Sequence, residues 1–258
     1  MKVRFLGVGS CLPEYEGADT ASVLIDGQVL VDAGWNTVRN LLRAGVDPGN
    51  VTQVFFTHMH QDHYLGLAQF LFYRMNKYHQ FGNLTLYGPR GLSEIVERAL
   101  LYAGFDRIHV GEKRESVRDA RPEIVELPSQ GKVCAGKLQV CFIESRHAVE
   151  GRCYRFEDEA GNSVTYTGDT ATFDALASFA QGSDVLIHEA AFGAMDTKGA
   201  NLYYHSNAQD AARNAQAAGV KALYLVHMPL VVRDDARDAA KAIFAQVFSP
   251  AEDDEIML

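Results

Sequence analysis

The 258-residue sequence has no apolar run that approaches the roughly 20 residues needed for a membrane helix. Residues 1–13 contain two basic residues but only a short apolar stretch, which does not predict a signal peptide. Only four cysteines are present, none in a C-x-x-C pair, and they predict buried free thiols in a reducing environment. We therefore expect a cytoplasmic protein with no membrane association.

Positive charge is also scarce. Twenty-four Lys and Arg against 33 Asp and Glu give a net charge of −9, which argues against a broad electrostatic attraction to nucleic acid. The basic residues between 113 and 121 are mixed with acids and predict a solvated loop. Apolar residues make up 47% of the chain, which is typical of a globular enzyme with a large core.

Short β-patterned runs alternate with amphipathic helices throughout, without a linker, repeat or low-complexity segment. We predict an α/β fold in one domain, residues 1–258, in which hairpins interrupt a parallel strand order. The acidic tail from Ala251 is expected to be loose. The predicted strands are 2–6, 22–25, 28–31, 54–57, 84–87, 138–143, 153–156, 164–167, 185–188 and 223–226, and the early helices are 36–43, 62–77 and 92–102.

The segment Thr57-His58-Met59-His60-Gln61-Asp62-His63 contains the strongest chemical signal. It follows an apolar strand, so His58 and His60 can point at one place, and Asp62 and His63 begin the next helix. Four metal-ligating side chains within six residues are costly to bury without a cation. The alternative, a polar loop with scattered histidines, does not account for this spacing.

Three further candidate ligands stand at or just beyond the ends of other predicted strands: His147, Asp169 and His227. Each alone could be an ordinary surface or core residue. Two four-coordinate metal ions that share one ligand need seven protein groups, and the candidates are seven. These residue types suit Zn²⁺, while Mn²⁺ and Fe²⁺ stay open. The seven are His58, His60, Asp62, His63, His147, Asp169 and His227.

With H-x-H-x-D-H at 58–63 and the later His, Asp and His, the chain resembles the metallo-β-lactamase superfamily. The resemblance implies an αββα four-layer sandwich with the site at one edge of two packed sheets. It also implies a bridging role for Asp169. A redox di-iron branch has Glu where this chain has His60, which favours hydrolysis. The implied ligands are His58, His60 and His147 for the first metal and Asp62, His63 and His227 for the second.

A narrower resemblance, to the ribonuclease Z group, covers most of the chain. It is carried by the segments 5–10, 186–190 and 204–206, which read FLGVGS, LIHEA and YHS. It implies that His205 protonates the leaving oxygen and that Glu189 supports it. Independently, Ser206 and Gln209 have capping-box spacing, so His205 is expected at a helix N-terminus that favours an anion. An acidic partner would then be needed to keep His205 a competent acid.

The sequence also departs from that group. Its transfer-RNA-processing members carry a protruding arm, in many of them between the residues matching His147 and Asp169. Here only 21 residues separate those two, and they predict a plain hairpin. Asp32 is expected to orient a ligand histidine, and Trp35 either lines the pocket or fills the core.

The sequence therefore predicts a binuclear metal-dependent hydrolase, most of all a phosphodiesterase that uses a metal-bridging hydroxide, with Asp62, His205 and Glu189 as catalytic residues. The expected substrate is a small or medium phosphodiester. RNA stays open as a partner but is not favoured, and the resemblance implies a homodimer. The alternatives are a transfer-RNA 3′-processing endoribonuclease, a hydrolase of sulfate esters, lactones or thioesters, and a metal-retaining binding or regulatory protein.

Overall fold

The computed structural model describes residues 1–14, 18–79, 81, 83–104, 121–196 and 203–258. In this part of the chain the strands form two seven-stranded sheets. The first sheet has the order β14-β1-β2-β3-β4-β5-β6, in which β3 to β6 are parallel and the other neighbours are antiparallel. Its strands are β1 (Lys2–Gly7), β2 (Ser22–Ile25), β3 (Val29–Val31), β4 (Gln53–Phe55), β5 (Thr85–Gly88), β6 (Glu123–Glu126) and β14 (Glu255–Met257).

The second sheet has the order β13-β12-β11-β10-β9-β8-β7, antiparallel from β7 to β10 and parallel from β10 to β13. Its strands are β7 (Gln130–Ala135), β8 (Leu138–Glu144), β9 (Arg152–Glu157), β10 (Ser163–Tyr166), β11 (Val185–Glu189), β12 (Ala222–Val226) and β13 (Val247–Phe248). The helices are α1 (Thr37–Arg43), α2 (Gln61–Tyr64), α3 (Leu67–Tyr78), α4 (Leu92–Tyr102), α5 (Asp174–Ala180), α6 (Ala208–Ala218) and α7 (Arg233–Lys241).

Four layers result because side chains alternate across each strand. In β2, Val23 and Ile25 face the second sheet, whereas Leu24 packs with α1, α3 and α4. In β11, Ile187 faces the first sheet, and Leu186 packs with α5, α6 and α7. The predicted αββα sandwich is confirmed. Within the described residues no helix is long and apolar enough to cross a membrane.

The two sheets meet at the edge where their parallel strands end. The chain leaves β4 through Thr57, whose carbonyl accepts a hydrogen bond of 2.7 Å from the backbone of Arg152 at the start of β9. An isolated bridge between His58 and Gly151 extends this junction. Ligands in α/β sheets bind outside the carboxyl ends of the strands, so this edge is where a site is expected.

Several predicted details are wrong. The predicted helix 62–77 begins at Gln61, with His60 rather than Asp62 as its N-cap, and it divides into α2 and α3 at Gly66. The backbone N–H of Gly66 donates to the carbonyl of Ala33 at 3.0 Å, and a Cβ atom at Gly66 would overlap the carbonyl oxygen of Gly34, so the helix is interrupted where it packs against this segment. The tail is not loose, because β14 pairs with β1. Among the four free cysteines, only Cys153 is fully buried.

Candidate metal centre

Loops from both sheets bring the predicted ligands to the shared edge. The H-x-H-x-D-H segment follows β4, and the other predicted residues come from loops after strands of the second sheet or from the start of a helix. His147 follows β8, Asp169 follows β10, His205 precedes α6, His227 follows β12, and Glu189 is the last residue of β11. Apart from Glu189, these side chains fall into groups whose ligand atoms lie within 4.8 Å of one another.

The first group consists of His58, His60, His147 and Asp169. The Nδ1 atom of His60 lies 3.1 Å from His58 Nε2 and 3.1 Å from His147 Nε2. Asp169 Oδ2 is 3.6 Å from His58 Nε2. Burial lowers the pKa values of His58, His60 and His147, which favours the neutral form of imidazole that binds metals.

The second group consists of Asp62, His63 and His227, and Asp169 lies beside it. Asp62 Oδ2 is 3.2 Å from His63 Nε2 and 3.4 Å from His227 Nε2. Asp169 Oδ2 is 3.5 Å and 3.3 Å from the same two nitrogens. Asp169 thus contacts both groups. Although burial opposes it, Asp169 and Asp62 raise the pKa of His227 to about 9, which shows that these acids attract positive charge to this point.

The residues present fit metal ions. Within the described part of the chain, His63 Nε2 and Asp169 Oδ1, which belong to these groups, are buried and make no hydrogen bond of acceptable geometry, although Asp62 Oδ2 lies 3.2 Å from His63 Nε2. Such orphaned atoms are costly unless a further partner exists. Asp62 and Asp169 are also buried, with 8% and 4% exposure, and an uncompensated buried carboxylate is more costly still. The cluster is therefore a divalent-metal centre, and imidazole and carboxylate donors in this number are typical of zinc sites.

Asp32 supports the second group, as the sequence predicted. Its Oδ2 lies 2.8 Å from His63 Nδ1 and accepts a hydrogen bond of 2.9 Å from the hydroxyl of Thr57. Asp32 is fully buried, and this raises the pKa of its carboxyl, while the contacts with His63 and Thr57 act in the opposite direction. The backbones of Asp32 and His227 are both left-handed, with φ of 60° and 59°. Such strain in non-glycine residues is concentrated at functional sites.

His205 and Glu189 form a pair beside the metal groups. His205 Nδ1 is 2.8 Å from Glu189 Oε1 and 3.9 Å from Asp169 Oδ2. The carboxylate of Glu189 also accepts backbone hydrogen bonds from Thr170 and Ala191, both 2.9 Å, which fix its orientation. Against the effect of burial, the contact with Glu189 raises the pKa of His205. His205 therefore combines partial exposure with an acidic partner.

The environment of this pair was only partly predicted. His188, the neighbour of Glu189 in β11, has its Nδ1 2.7 Å from the carbonyl oxygen of Glu189. The capping-box prediction is wrong by one residue, because Asn207 is the N-cap of α6 and accepts from the backbone of Asp210. Ser206 instead donates to the carbonyl of Thr170. A serine followed by an asparagine gives two candidate caps, and packing selects between them.

Sequence reasoning missed Thr57 and Thr170 and left Trp35 open. Threonine is common in strands and turns, so nothing in the pattern marked the two hydroxyl side chains. The indole of Trp35 is 39% exposed and donates to the carbonyl of Cys11, which is incompatible with filling the core. The connection from His147 to Asp169 contains β9, β10 and a short turn, which confirms the plain hairpin.

Comparisons with known proteins agree with this geometry. A family model described as a beta-lactamase superfamily domain matches residues 28–228. The curated protein named Ribonuclease Z from Latilactobacillus sakei subsp. sakei (strain 23K) is 31% identical over 295 aligned positions, which cover 93% of this chain and 94% of that protein. Only about 240 residues of this chain can occupy those positions, so about 55 residues of the relative have no counterpart here.

Two solved structures establish the fold. The metallo-beta-lactamase fold protein YhfI from Bacillus subtilis superposes with a TM-score of 0.81 at 22% identity, covering 99% of this chain and 98% of that one. The short form of human tRNase Z gives a TM-score of 0.77 at 22% identity, with 100% and 99% covered. With the family model and the 31% identical relative, the chain belongs to the metallo-β-lactamase superfamily and, within it, to the ribonuclease Z family.

Proposed function

We propose that residues 1–258 act as one hydrolase domain, a binuclear metal-dependent phosphodiesterase of the ribonuclease Z type. The observation that carries the proposal is the combination of two metal-ligating groups, joined through Asp169, with the His205–Glu189 pair directly beside them. Both sheets contribute ligands to the metal-ligating groups, so neither sheet alone would hold them, whereas Glu189 and His205 come from β11 of the second sheet and the segment before α6.

We assign His58, His60 and His147 to one ion and Asp62, His63 and His227 to the other, with Asp169 shared. Zinc is the proposed metal, because five imidazoles and two carboxylates match its preference for nitrogen and oxygen donors. When bound, such ions supply Lewis acidity toward the phosphoryl oxygens and lower the pKa of a water molecule, which makes a nucleophile available near neutral pH.

Residues of the protein orient the attacking water and protonate the departing oxygen. Asp62 has an oxygen within 3.4 Å of His63 and His227, so its carboxylate is held within the second group and can orient the attacking water there. The pKa is raised for three imidazoles of the centre, His63, His205 and His227. Of these, His205 has the most accessible side chain, at 18% exposure, against 5% for His227 and none for His63. It can therefore donate a proton to the departing oxygen, while Glu189 stabilises the charged imidazole.

The test is turnover by metal-quantified protein on bis(p-nitrophenyl) phosphate, beside p-nitrophenyl sulfate and a thioester. Diesterase activity with about two metals per chain is the expected result. Two metals with sulfatase or thioesterase turnover instead would keep the metal centre and overturn the phosphodiesterase. Two metals without turnover on any substrate would favour the binding or regulatory protein.

RNA 3′-end cleavage is the second candidate function. It is favoured by the name of the 31% identical relative, which gives RNA more weight than the sequence analysis did. Against a large folded RNA stand the net charge of −9 and the roughly 55 residues of that relative that this chain lacks. The basic residues 113–118 lie outside the described part of the chain. The homodimer stays a prediction.

A further inference from the structure

Thr57 stands between the two metal-ligating groups. Its side-chain oxygen lies 3.0 Å from Nδ1 of His58, which belongs to the first group, and 3.4 Å from Nδ1 of His63, which belongs to the second. Both Thr57 and its neighbours are buried, with 1% exposure for Thr57 and His58 and none for His63. No solvent is available there to replace a missing hydrogen bond, so the direction of each bond is fixed by the groups themselves.

Asp32 decides these directions. Its Oδ1 accepts from the backbone N–H of Thr57 at 2.7 Å, and its Oδ2 accepts from the Thr57 hydroxyl at 2.9 Å. Because the single hydroxyl proton goes to Asp32, the Thr57 oxygen can only accept from His58, and Nδ1 of His58 must carry a proton. The same carboxylate requires a proton on Nδ1 of His63. Each ring then presents Nε2 to its own group.

Gly168 holds the Thr57 side chain in this place. It has φ of +57°, and a Cβ atom added to it would lie 2.6 Å from Thr57 Cβ and 2.9 Å from Thr57 Oγ1. Gly168 directly precedes Asp169, the residue next to both groups. Thr57 is therefore fixed between Asp32 on one side and the Gly168–Asp169 backbone on the other, and its hydroxyl has little freedom to find another partner.

We propose that Thr57 is a positioning residue that links the two metal groups. Asp32 orients His63 directly, and through the Thr57 hydroxyl it orients His58 as well. The proposal rests on the proposed binuclear centre. One buried carboxylate would then fix the tautomers of a ligand histidine in each group. Loss of the hydroxyl removes the partner of His58 Nδ1 and one donor to Asp32, but it leaves the 2.8 Å contact between His63 and Asp32 in place. The first group therefore loses its support, and the second group retains the direct contact with Asp32.

The test compares Zn²⁺ binding by the wild type and by Thr57→Val, Thr57→Ser and Asp32→Asn, measured by calorimetric titration of the metal-free proteins with native mass spectrometry. Thr57→Val should weaken one of the two zinc equivalents by about 10- to 100-fold and leave the other unchanged. Thr57→Ser retains the hydroxyl and should bind both equivalents like the wild type. Asp32→Asn should weaken both.

Thr165→Val is the matched control. Thr165 is equally buried and its hydroxyl pairs with that of Ser183 at 2.7 Å, away from the predicted ligands, so this variant removes a buried hydroxyl without touching the centre. It should bind two zinc ions normally. If Thr57→Val binds both equivalents like the wild type, or loses both as Asp32→Asn does, the link through Thr57 is wrong. A wild type that binds no zinc would overturn the proposed function as well.

A measurement on the wild type avoids dependence on variant folding. Ring-nitrogen NMR of the zinc-loaded protein should show protons on Nδ1 of His58 and His63. His60, whose Nδ1 faces the group, should show the opposite tautomer, with its proton on Nε2. A deprotonated Nδ1 on His58 would contradict the proposal, because the Thr57 oxygen would then have no proton to accept.

Discussion

His205 stands outside the seven predicted ligands: its Nδ1 lies 2.8 Å from the carboxylate of Glu189, and 18% of its side chain is exposed. We expect His205→Ala to retain about two metals per chain and to lose turnover on bis(p-nitrophenyl) phosphate by about 100-fold or more, the usual contribution of a positioned proton donor. Metal content and kcat are measured on the same preparation.

The substitution Glu189→Gln tests the contribution of the acidic partner while the proton donor, His205, stays in place. It keeps the size of the side chain but removes the charge that raises the pKa of His205, so kcat should fall while the metal content stays unchanged. A fully active His205→Ala would show that another group protonates the leaving oxygen. Loss of metal in His205→Ala would instead assign the residue to the ligand set, as its place near Asp169 and His227 allows.

At this scale the sequence predicted most of the centre. All seven predicted ligands lie in the two groups, because ligand types at strand ends are readable without knowledge of packing. Asp32 was also predicted. The hydroxyl of Thr57 was not, because its importance arises from three hydrogen-bonding neighbours, one of them 25 positions away in the chain. Residue type alone does not reveal such a position.

Among the described glycines with positive φ, Gly168 in the turn after β10 has the closest neighbours. Gly168→Ala should destabilise the metal-free protein by about 2–4 kcal/mol, since it combines a left-handed backbone with overlap on Thr57. Urea unfolding of the metal-free protein measures this. The matched control is Gly161→Ala, which also has positive φ, at +83°, but no heavy atom within 4 Å, and should cost only about 1 kcal/mol. If both variants lose the same free energy of unfolding, the close approach to Thr57 does not restrict the residue at position 168.

The elements that sequence reasoning misplaced are those fixed by distant contacts. The residues between α2 and α3 continue a helical pattern, but the N–H of Gly66 donates to the distant carbonyl of Ala33, and Gly66 packs closely against the Gly34 backbone. The short strand β14 has weak local signal, and it exists because Lys2 and Arg4 of β1 pair with Met257 and Glu255. Tertiary contacts override local propensity in both cases.

For the whole molecule, the centre concentrates buried charge between two sheets. Removing metal leaves Asp62 and Asp169 without cations, so a chelator should lower the melting temperature. At free zinc about 100 times the dissociation constant, binding adds about 2.7 kcal/mol, or about 5–10 °C for a chain of this size. Melting curves at increasing free zinc check this. A melting temperature that is independent of chelator would argue against a buried metal centre.

Substrate size is a property of the whole molecule too. The net charge of −9 becomes about −5 with two bound divalent cations, which still does not favour a long polyanion. Within the described residues, the short hairpin between His147 and Asp169 offers few contacts to a folded RNA. We therefore expect kcat/KM for a short single-stranded RNA to equal or exceed that for a precursor transfer RNA, with a shallow dependence on salt that corresponds to about one or two phosphate contacts. The comparison requires both substrates at several salt concentrations. A much higher kcat/KM for the precursor transfer RNA, with a steep salt dependence, would mean that the protein binds folded RNA through a surface other than the hairpin.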